Sequence, residues 1–358
     1  MIELNKNFWQ NKNVLITGHT GFKGSWLTLW LNMMGAKILG CSLEPATNPN
    51  LFSELNLAKS IDHRICDIRD YEKLLAIFQS FKPEIVFHLA AQPLVRYSYQ
   101  NPLETYQTNV LGTVNVLEAI RQTKSTKATI VITSDKCYEN IEQIYGYREH
   151  DKMGGHDPYS NSKGCQELVV SAYTKSYFLP NNNLGNIASV RAGNVIGGGD
   201  WSSDRLIPDL ITKLVKKQNP IIRSPRAIRP WQHVIEPLHG YLLVAKYLYD
   251  LPKQQDLLSW NFGPDFASQK DVLFVANKVN ELWGGENKII VEENNNNPHE
   301  ANLLYLDCTK AKKELNWQPK FNLDETLYHT VQWYKEFYQS NKINCQNQIE
   351  KYIRTQIF

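Results

Sequence analysis

The chain has 358 residues, 42% of them hydrophobic and 21% charged, with a formal net charge of +3. That is length for one large or two moderate domains with an ample core, in the composition of a soluble globular protein. So small a charge excludes a general affinity for nucleic acid or an anionic membrane, and no run approaches the ~18 apolar residues of a membrane span.

The polar start, Met1 to Asn13, does not read as a signal peptide, and the chain is expected in the cytoplasm. The six cysteines, Cys41, Cys66, Cys137, Cys165, Cys308 and Cys345, lack CxxC or metal spacing and predict reduced thiols with no metal site. Phe8 and Trp9 are expected to pack under a first strand, Val14 to Thr17. That strand runs into Gly18-His19-Thr20-Gly21-Phe22-Lys23-Gly24, then a helix from Ser25 to Met34 that stops at Gly35. Glycines permit positive φ and close backbone approach, and a helix N-terminus favours a pyrophosphate. The spacing is GxxGxxG instead of GxGxxG, so a plain turn competes; the position between an apolar strand and a helix favours a dinucleotide site.

The second strand is Lys37 to Ser42. Glu44 follows at the distance from the glycine turn where an acidic residue meets a ribose, against the reading of an exposed loop. No arginine stands beside it, which disfavours a 2′-phosphate and favours NAD. A third strand, His63 to Cys66, ends in Asp67-Ile68, suited to an adenine amino group and ring face; the competing role for Asp67 is N-cap of a helix from Tyr71 to Phe81. The fourth strand, Pro83 to Ala91, ends in small residues against which a nicotinamide ribose can lie. Gln92, Arg96 and Tyr97 follow in a loop within reach of substrate. A helix from Leu103 to Thr123 carries Asn109 midway, read structurally as a buried amide bonded to backbone.

The fifth strand, Ile130 to Thr133, ends in Ser134-Asp135-Lys136, a hydroxyl, a carboxylate and an amine. Open α/β sheets place their sites at the carboxyl ends of such strands. Tyr159 and Lys163, four apart on the helix that follows, present a phenol and an ammonium on one face. The ammonium lowers the phenol's pKa and Ser134 can bond the same oxygen, a set that takes a proton from a substrate alcohol.

Ile187 to Arg191 is read as opening a different region, with a glycine-rich loop from Gly193 to Trp201. Asp204 to Pro208 begins a helix, and Ile221 to Arg223 is a short strand. Arg223, Arg226 and Arg229, near Trp231, Gln232 and His233, suit a pyrophosphate and a nucleobase, against a basic solvated face. Pro237 to Leu251 is a helix and Ser259 to Gly263 a strand; Asn294 to Asn297 is an irregular loop. The amphipathic helix from Leu327 to Tyr338 is read as core or subunit contact.

Four segments together resemble the extended short-chain dehydrogenase/reductases: TGxxGFxG from Thr17 to Gly24, HLAA from His88 to Ala91, the serine after the fifth strand, and YxxxK. Asp135 after that serine narrows the likeness to the nucleotide-sugar 4,6-dehydratases, which usually read Thr-Asp-Glu where this chain has Ser134-Asp135-Lys136. The likeness runs from about Asn11 to Tyr338. It implies a Rossmann-type doubly wound parallel sheet, with a smaller, mostly C-terminal α/β substrate-binding domain. The NAD-binding domain would be residues 1–190 with 232–258, and the substrate-binding domain 191–231 with 259–358.

It further implies a retained NAD on Gly18, Thr20, Gly21, Phe22, Lys23, Gly24, Asp67, Ile68, Leu89, Ala90, Ala91, Asn109, Tyr159 and Lys163. CDP-glucose is the implied substrate, on Gln92, Arg96, Asn194, Arg205, Leu206, Arg223, Arg229, Gln232 and His233. Ser134, Asp135, Lys136, Tyr159 and Lys163 would be catalytic. Tyr159 takes the 4-hydroxyl proton, Asp135 protonates the departing 6-hydroxyl, and Lys136 either removes the C5 proton or stabilises the enolate. Lys23 either helps hold pyrophosphate or points to solvent. The expected protein is a homo-oligomeric hydro-lyase, dimer or tetramer, of deoxysugar and lipopolysaccharide O-antigen synthesis. A 4-epimerase, a 4,6-dehydratase of another nucleotide sugar and a non-enzymatic NAD-sensing protein are the alternatives; the epimerase needs neither Asp135 nor Lys136.

Overall fold

The computed structural model describes residues 6–292 and 303–355; the asparagine tract at 294–297 lies outside them. Seven strands form one sheet: β1 (Asn13–Thr17), β2 (Lys37–Ser42), β3 (Asp62–Ile65), β4 (Ile85–His88), β5 (Ala128–Ile132), β6 (Asn186–Ala192) and β7 (Leu258–Phe262). The order across it is β7-β6-β5-β4-β1-β2-β3, with every neighbouring pair parallel. Strands covered on both faces read as unbroken apolar runs. In β1 the two-residue period sends Val14 and Ile16 into one core cluster and Leu15 into the other. Trp9 lies in the first of these, beneath β1 as expected. Strand order reverses between β1 and β4, and the crevice opens there, at the carboxyl ends.

α1 (Phe22–Met33) follows the glycine turn, and the chain leaves it through Gly35 at φ +80°. α2 (Tyr71–Phe81) is capped by Asp70, whose side chain accepts from the Lys73 N–H, so Asp67 is not the cap. The expected helix from Leu103 to Thr123 is interrupted: a turn at Pro102–Tyr106 passes through a wide π turn, Gln107–Leu111, into α3 (Gly112–Thr123). α4 (Pro158–Tyr173) starts sharply, with Pro158 in its first turn and the Asp157 carboxylate accepting from the Ser160 N–H.

Beyond β6 lies the smaller part: α5 (Leu206–Val215), α7 (Val272–Trp283), α8 (Leu323–Ser340) and three two-stranded ribbons. Between these in sequence, α6 (Ile235–Asp250) returns to pack on β5 and β6. The division differs from the expected one at its edges. β6 runs past residue 190, and β7 pairs with it from Leu258–Ala188 to Phe262–Ala192. Residues 259–262 therefore belong to the main sheet, where Trp260 and Phe262 are fully buried. α8 sinks Leu327, Val331, Trp333 and Tyr334 into the core, the first of the two readings for that helix. α9 (Cys345–Arg354) folds back onto α1: Tyr352 meets Trp30 edge-on at 6.0 Å and donates to Glu236 Oε2 at 2.6 Å. No described helix is long and apolar enough to cross a membrane.

Candidate active site

A cavity of about 590 Å³ occupies the crevice, running from the glycine turn past the end of β5 to the start of α5. Its first wall needs glycine. At Gly18, with φ +75°, a Cβ would stand 2.7 Å from the Ala90 nitrogen; at Gly24 it would stand 2.1 Å from the Gly18 oxygen. The turn is pressed against the β4 loop on one side and against its own helix on the other. The N-terminus of α1 has no side-chain cap, so its backbone N–H groups are left for an anion. Thr20, Gly21, Phe22, Lys23, Leu89, Ala90 and Ala91 line this part. At its far end stand Glu44, Asp67 and Ile68; Asp67 is held below the usual carboxylate range by hydrogen bonds from Arg69, one at 2.6 Å.

The end of β5 supplies the reactive groups. Ser134 donates to Asp135 Oδ1 at 2.9 Å, and its hydroxyl faces the Tyr159 phenol and lowers it. Burial pushes Tyr159 up to about 12, Ser134 pulling the other way. Asp135 is buried and its carboxyl is raised, burial outweighing the attraction of Lys136, the Ser134 bond, Lys23 and Arg229. Its Oδ2 has no hydrogen-bond partner among the described residues. Gly193 faces that oxygen: a Cβ there would come within 3.0 Å of it and 2.9 Å of Pro230 Cγ. Lys163 is driven down to about 7 by burial and by repulsion from Lys23; it donates to Gln166 Oε1 at 2.9 Å and to the Ile132 carbonyl at 3.4 Å. Lys23 itself is lowered to about 8, by burial and then Arg205, against Asp135 and Asp200. It thus reaches into the cavity between the phosphate cradle and the acid, and does not simply point to solvent.

Of the residues expected on substrate, Arg96, Asn194, Arg205, Leu206 and Arg229 line the cavity, as does Lys136. Four do not. Gln92 is folded onto its own loop, donating to Thr105 Oγ1 at 2.9 Å and accepting from the Leu94 N–H at 2.6 Å. Arg223 is held outside by Asp204 at 3.0 Å. Gln232 donates to the Phe262 carbonyl at 2.9 Å. His233 is fully buried between the rings of Trp26 and Phe321, where burial drives it down to about 3. Among the expected cofactor residues Asn109 also stays behind the wall, clamping the Gln92 backbone and donating to Ser162 Oγ at 2.8 Å. The π turn carries the neighbouring Thr108 to the cavity instead. Asp200, Gly193 and Thr108 are site residues that sequence reasoning missed. For Asp200 the signal was present in the glycine-rich loop before it: the loop brings its Oδ2 to 2.8 Å from Arg205 Nη1.

The GDP-mannose 4,6 dehydratase family model matches residues 15–330. CDP-glucose 4,6-dehydratase of Salmonella typhimurium is 54% identical over 336 residues, 93% of this chain and 93% of that protein. dTDP-glucose 4,6-dehydratase of Haemophilus influenzae is 26% identical, over 90% of this chain and 97% of its own. Among solved structures, UDP-glucose 4-epimerase of Thermotoga maritima superposes with a TM-score of 0.78 at 23% identity, covering 91% of this chain and 99% of that one. dTDP-glucose 4,6-dehydratase of Bacillus anthracis, in complex with NAD, gives 0.76 at 22%, covering 91% and 97%. These two structures share the fold. The match over residues 15–330 and the near-complete alignment at 54% identity carry more: the chain belongs to the GDP-mannose 4,6 dehydratase family, the nucleotide-sugar 4,6-dehydratases among the extended short-chain dehydrogenase/reductases.

Proposed function

We infer that this chain is an NAD-dependent hydro-lyase that converts CDP-D-glucose to CDP-4-dehydro-6-deoxy-D-glucose with loss of water. The relative at 54% identity supports the substrate. The observation that carries the reaction is the pairing, at one strand end, of a phenol faced by Ser134 with a buried carboxyl whose Oδ2 has no partner among the described residues. A 4-epimerase uses the phenol and has no task for the acid.

The cradle fits a dinucleotide: the glycine turn admits close backbone approach, α1 offers uncapped N–H groups, and Asp67 beside Ile68 gives the far end one polar and one apolar side chain. Gly18, Gly21, Gly24, Asp67, Ile68 and Ala90 would hold NAD, which supplies a hydride acceptor for C4 and a donor for C6. Tyr159, oriented by Ser134, takes the proton of the 4-hydroxyl. A phenol at about 12 is protonated at neutral pH, so it needs a cation nearby: Arg205 already lowers it, and Lys163 stands one turn along α4. Ketone formation at C4 acidifies the C5 hydrogen. Asp135, its carboxyl raised by burial, is the acid for the departing 6-hydroxyl, in the space that Gly193 leaves open. Lys136, on the cavity wall beside it, serves C5 as base or as partner of the enolate. Arg96, Asn194, Arg205, Leu206 and Arg229 would bind the CDP part. Work in the cytoplasm as a homo-oligomer, dimer or tetramer, follows from the family resemblance and is read by light scattering.

The test is incubation of the purified protein with CDP-glucose, UDP-glucose, dTDP-glucose and GDP-mannose, followed by alkaline absorbance of a 4-keto product. CDP-glucose should give the fastest signal. Conversion to the C4 epimer without a keto product would overturn the dehydratase, and equal turnover of dTDP-glucose would overturn the cytidine preference.

A further inference from the structure

Behind Lys163 runs a file of polar side chains that the proposed chemistry does not use: Gln166, Thr113, His88 and Thr17, each with zero exposure. Thr17 and His88 end β1 and β4 as register partners, immediately before the Gly18 turn and Leu89-Ala90. Gln166 lies on α4 and Thr113 on α3.

The protons in this file follow one another without choice. Thr113 Oγ1 lies 2.7 Å from the Asn109 carbonyl and donates its single proton there. Its oxygen therefore accepts from both other neighbours, Gln166 Nε2 at 2.8 Å and His88 Nε2 at 3.0 Å. His88 carries its proton on Nε2, and its Nδ1 accepts from Thr17 Oγ1 at 2.8 Å. Burial and the charge of Lys163 drive His88 down to about 3, which keeps it neutral and in that one tautomer. The Thr17 oxygen in turn accepts from the Ala90 N–H at 3.1 Å. None of the four side chains is left with an unsatisfied buried atom.

At the other end the consequence falls on Lys163. A glutamine amide can turn over, and its NH2 in place of its oxygen would face the ammonium with like polarity. Thr113 forbids this by requiring a donor from Gln166, so Oε1 is left to accept from Lys163 Nζ at 2.9 Å. We propose that Gln166 is a positioning residue for Lys163, its amide locked by the Thr113–His88–Thr17 file, which refers the ammonium to the same Ala90 backbone that walls the cofactor cleft. The proposal rests on the dehydratase reading only for the role that reading gives Lys163.

The test is an NMR titration of the protein carrying isotope-labelled lysine, without substrate, with the Lys163 signal assigned by its loss in Lys163→Arg. Gln166→Leu removes the acceptor and should lower the Lys163 midpoint by about one pH unit or more. Gln166→Glu should raise it. Thr113→Val leaves the acceptor in place and frees the amide to turn, so it should lower the midpoint as well, by less; it also serves if Gln166→Leu does not fold. An unchanged midpoint in Gln166→Leu overturns the positioning role, and an unchanged midpoint in Thr113→Val overturns the file. Failure of wild-type protein to turn over CDP-glucose would sink the dehydratase reading and leave this titration standing; intact turnover with unmoved midpoints would sink the file alone.

Discussion

Replacing Asp135 with asparagine separates the two halves of the proposed reaction. The structure makes this a clean perturbation. Burial raises the carboxyl and so favours its neutral form, which an amide nearly matches in size and polarity. The bond from Ser134 at 2.9 Å survives on Oδ1, and the new NH2 replaces an oxygen that had no partner, in a space kept free by Gly193. Folding should therefore lose less than ~1 kcal/mol. The acid function is lost, because an amide holds no transferable proton at neutral pH. Loss of a positioned general acid costs roughly 10²–10⁴ in rate, about 3–5 kcal/mol of barrier. Oxidation at C4 depends on Tyr159 and should persist, so the enzyme should stall after it. Rapid mixing of enzyme with CDP-glucose should show reduced nicotinamide rising in near-ultraviolet absorbance and persisting, while mass spectrometry finds little dehydrated product. Product release at the wild-type rate would show that Asp135 is not the donor to the 6-hydroxyl. Absence of the absorbance rise would place Asp135 in the first step and refute the division of labour.

Tyr159→Phe should give no absorbance rise in the same assay and a loss of at least ~10³ in turnover; a retained rise would require another base for the 4-hydroxyl. Lys136→Met should spare oxidation and stop exchange of the C5 hydrogen with heavy water; exchange at the wild-type rate would exclude Lys136 as base. Gly193→Ala brings a Cβ within 3.0 Å of Asp135 Oδ2 and 2.9 Å of Pro230 Cγ, and should cost ~1–3 kcal/mol in urea unfolding while slowing dehydration more than oxidation; equal slowing of both would argue against that geometry. Burial raises Glu236 from 4.5 to about 7. The folded chain keeps there a proton that the unfolded chain releases, so stability falls as pH rises through that window, by on the order of 3 kcal/mol. Glu236→Gln should flatten that part of the urea-unfolding profile; an unchanged slope would assign it elsewhere.

The sheet was legible because its inner strands β1, β4 and β5 are apolar on both faces, with Gly18 and Gly35 as punctuation around α1. The reactive cluster was legible because Ser134, Asp135 and Lys136 follow a buried strand without pause, and Tyr159 and Lys163 share a helix face. What misled was polarity in the second half. Gln232 and His233 have the residue types of ligands, yet one bonds the Phe262 carbonyl and the other packs among rings. A sequence shows a side chain's donors but not which distant backbone claims them. Arg223 is the same case with Asp204 as claimant, a neighbour supplied only by the turn from α5. Asn109 and Thr108 exchange places because a π turn adds a residue that helical periodicity does not count. The file from Lys163 to Ala90 was invisible for the opposite reason. Its members come from four separate elements, and each alone reads as ordinary core threonine, histidine or glutamine.

The docking of α9 on α1 also dictates an order of events during synthesis. The helix that opens on the phosphate cradle keeps the Trp30 ring uncovered on its outer side until Tyr352 arrives, and Glu236 waits for the same phenol. As the chain leaves the ribosome, β1, the glycine turn and α1 emerge well before residues 345–354, which complete their packing. A nascent chain stalled between the two carries an exposed tryptophan next to an unfinished nucleotide cleft, and a chaperone that holds apolar surface has its target there.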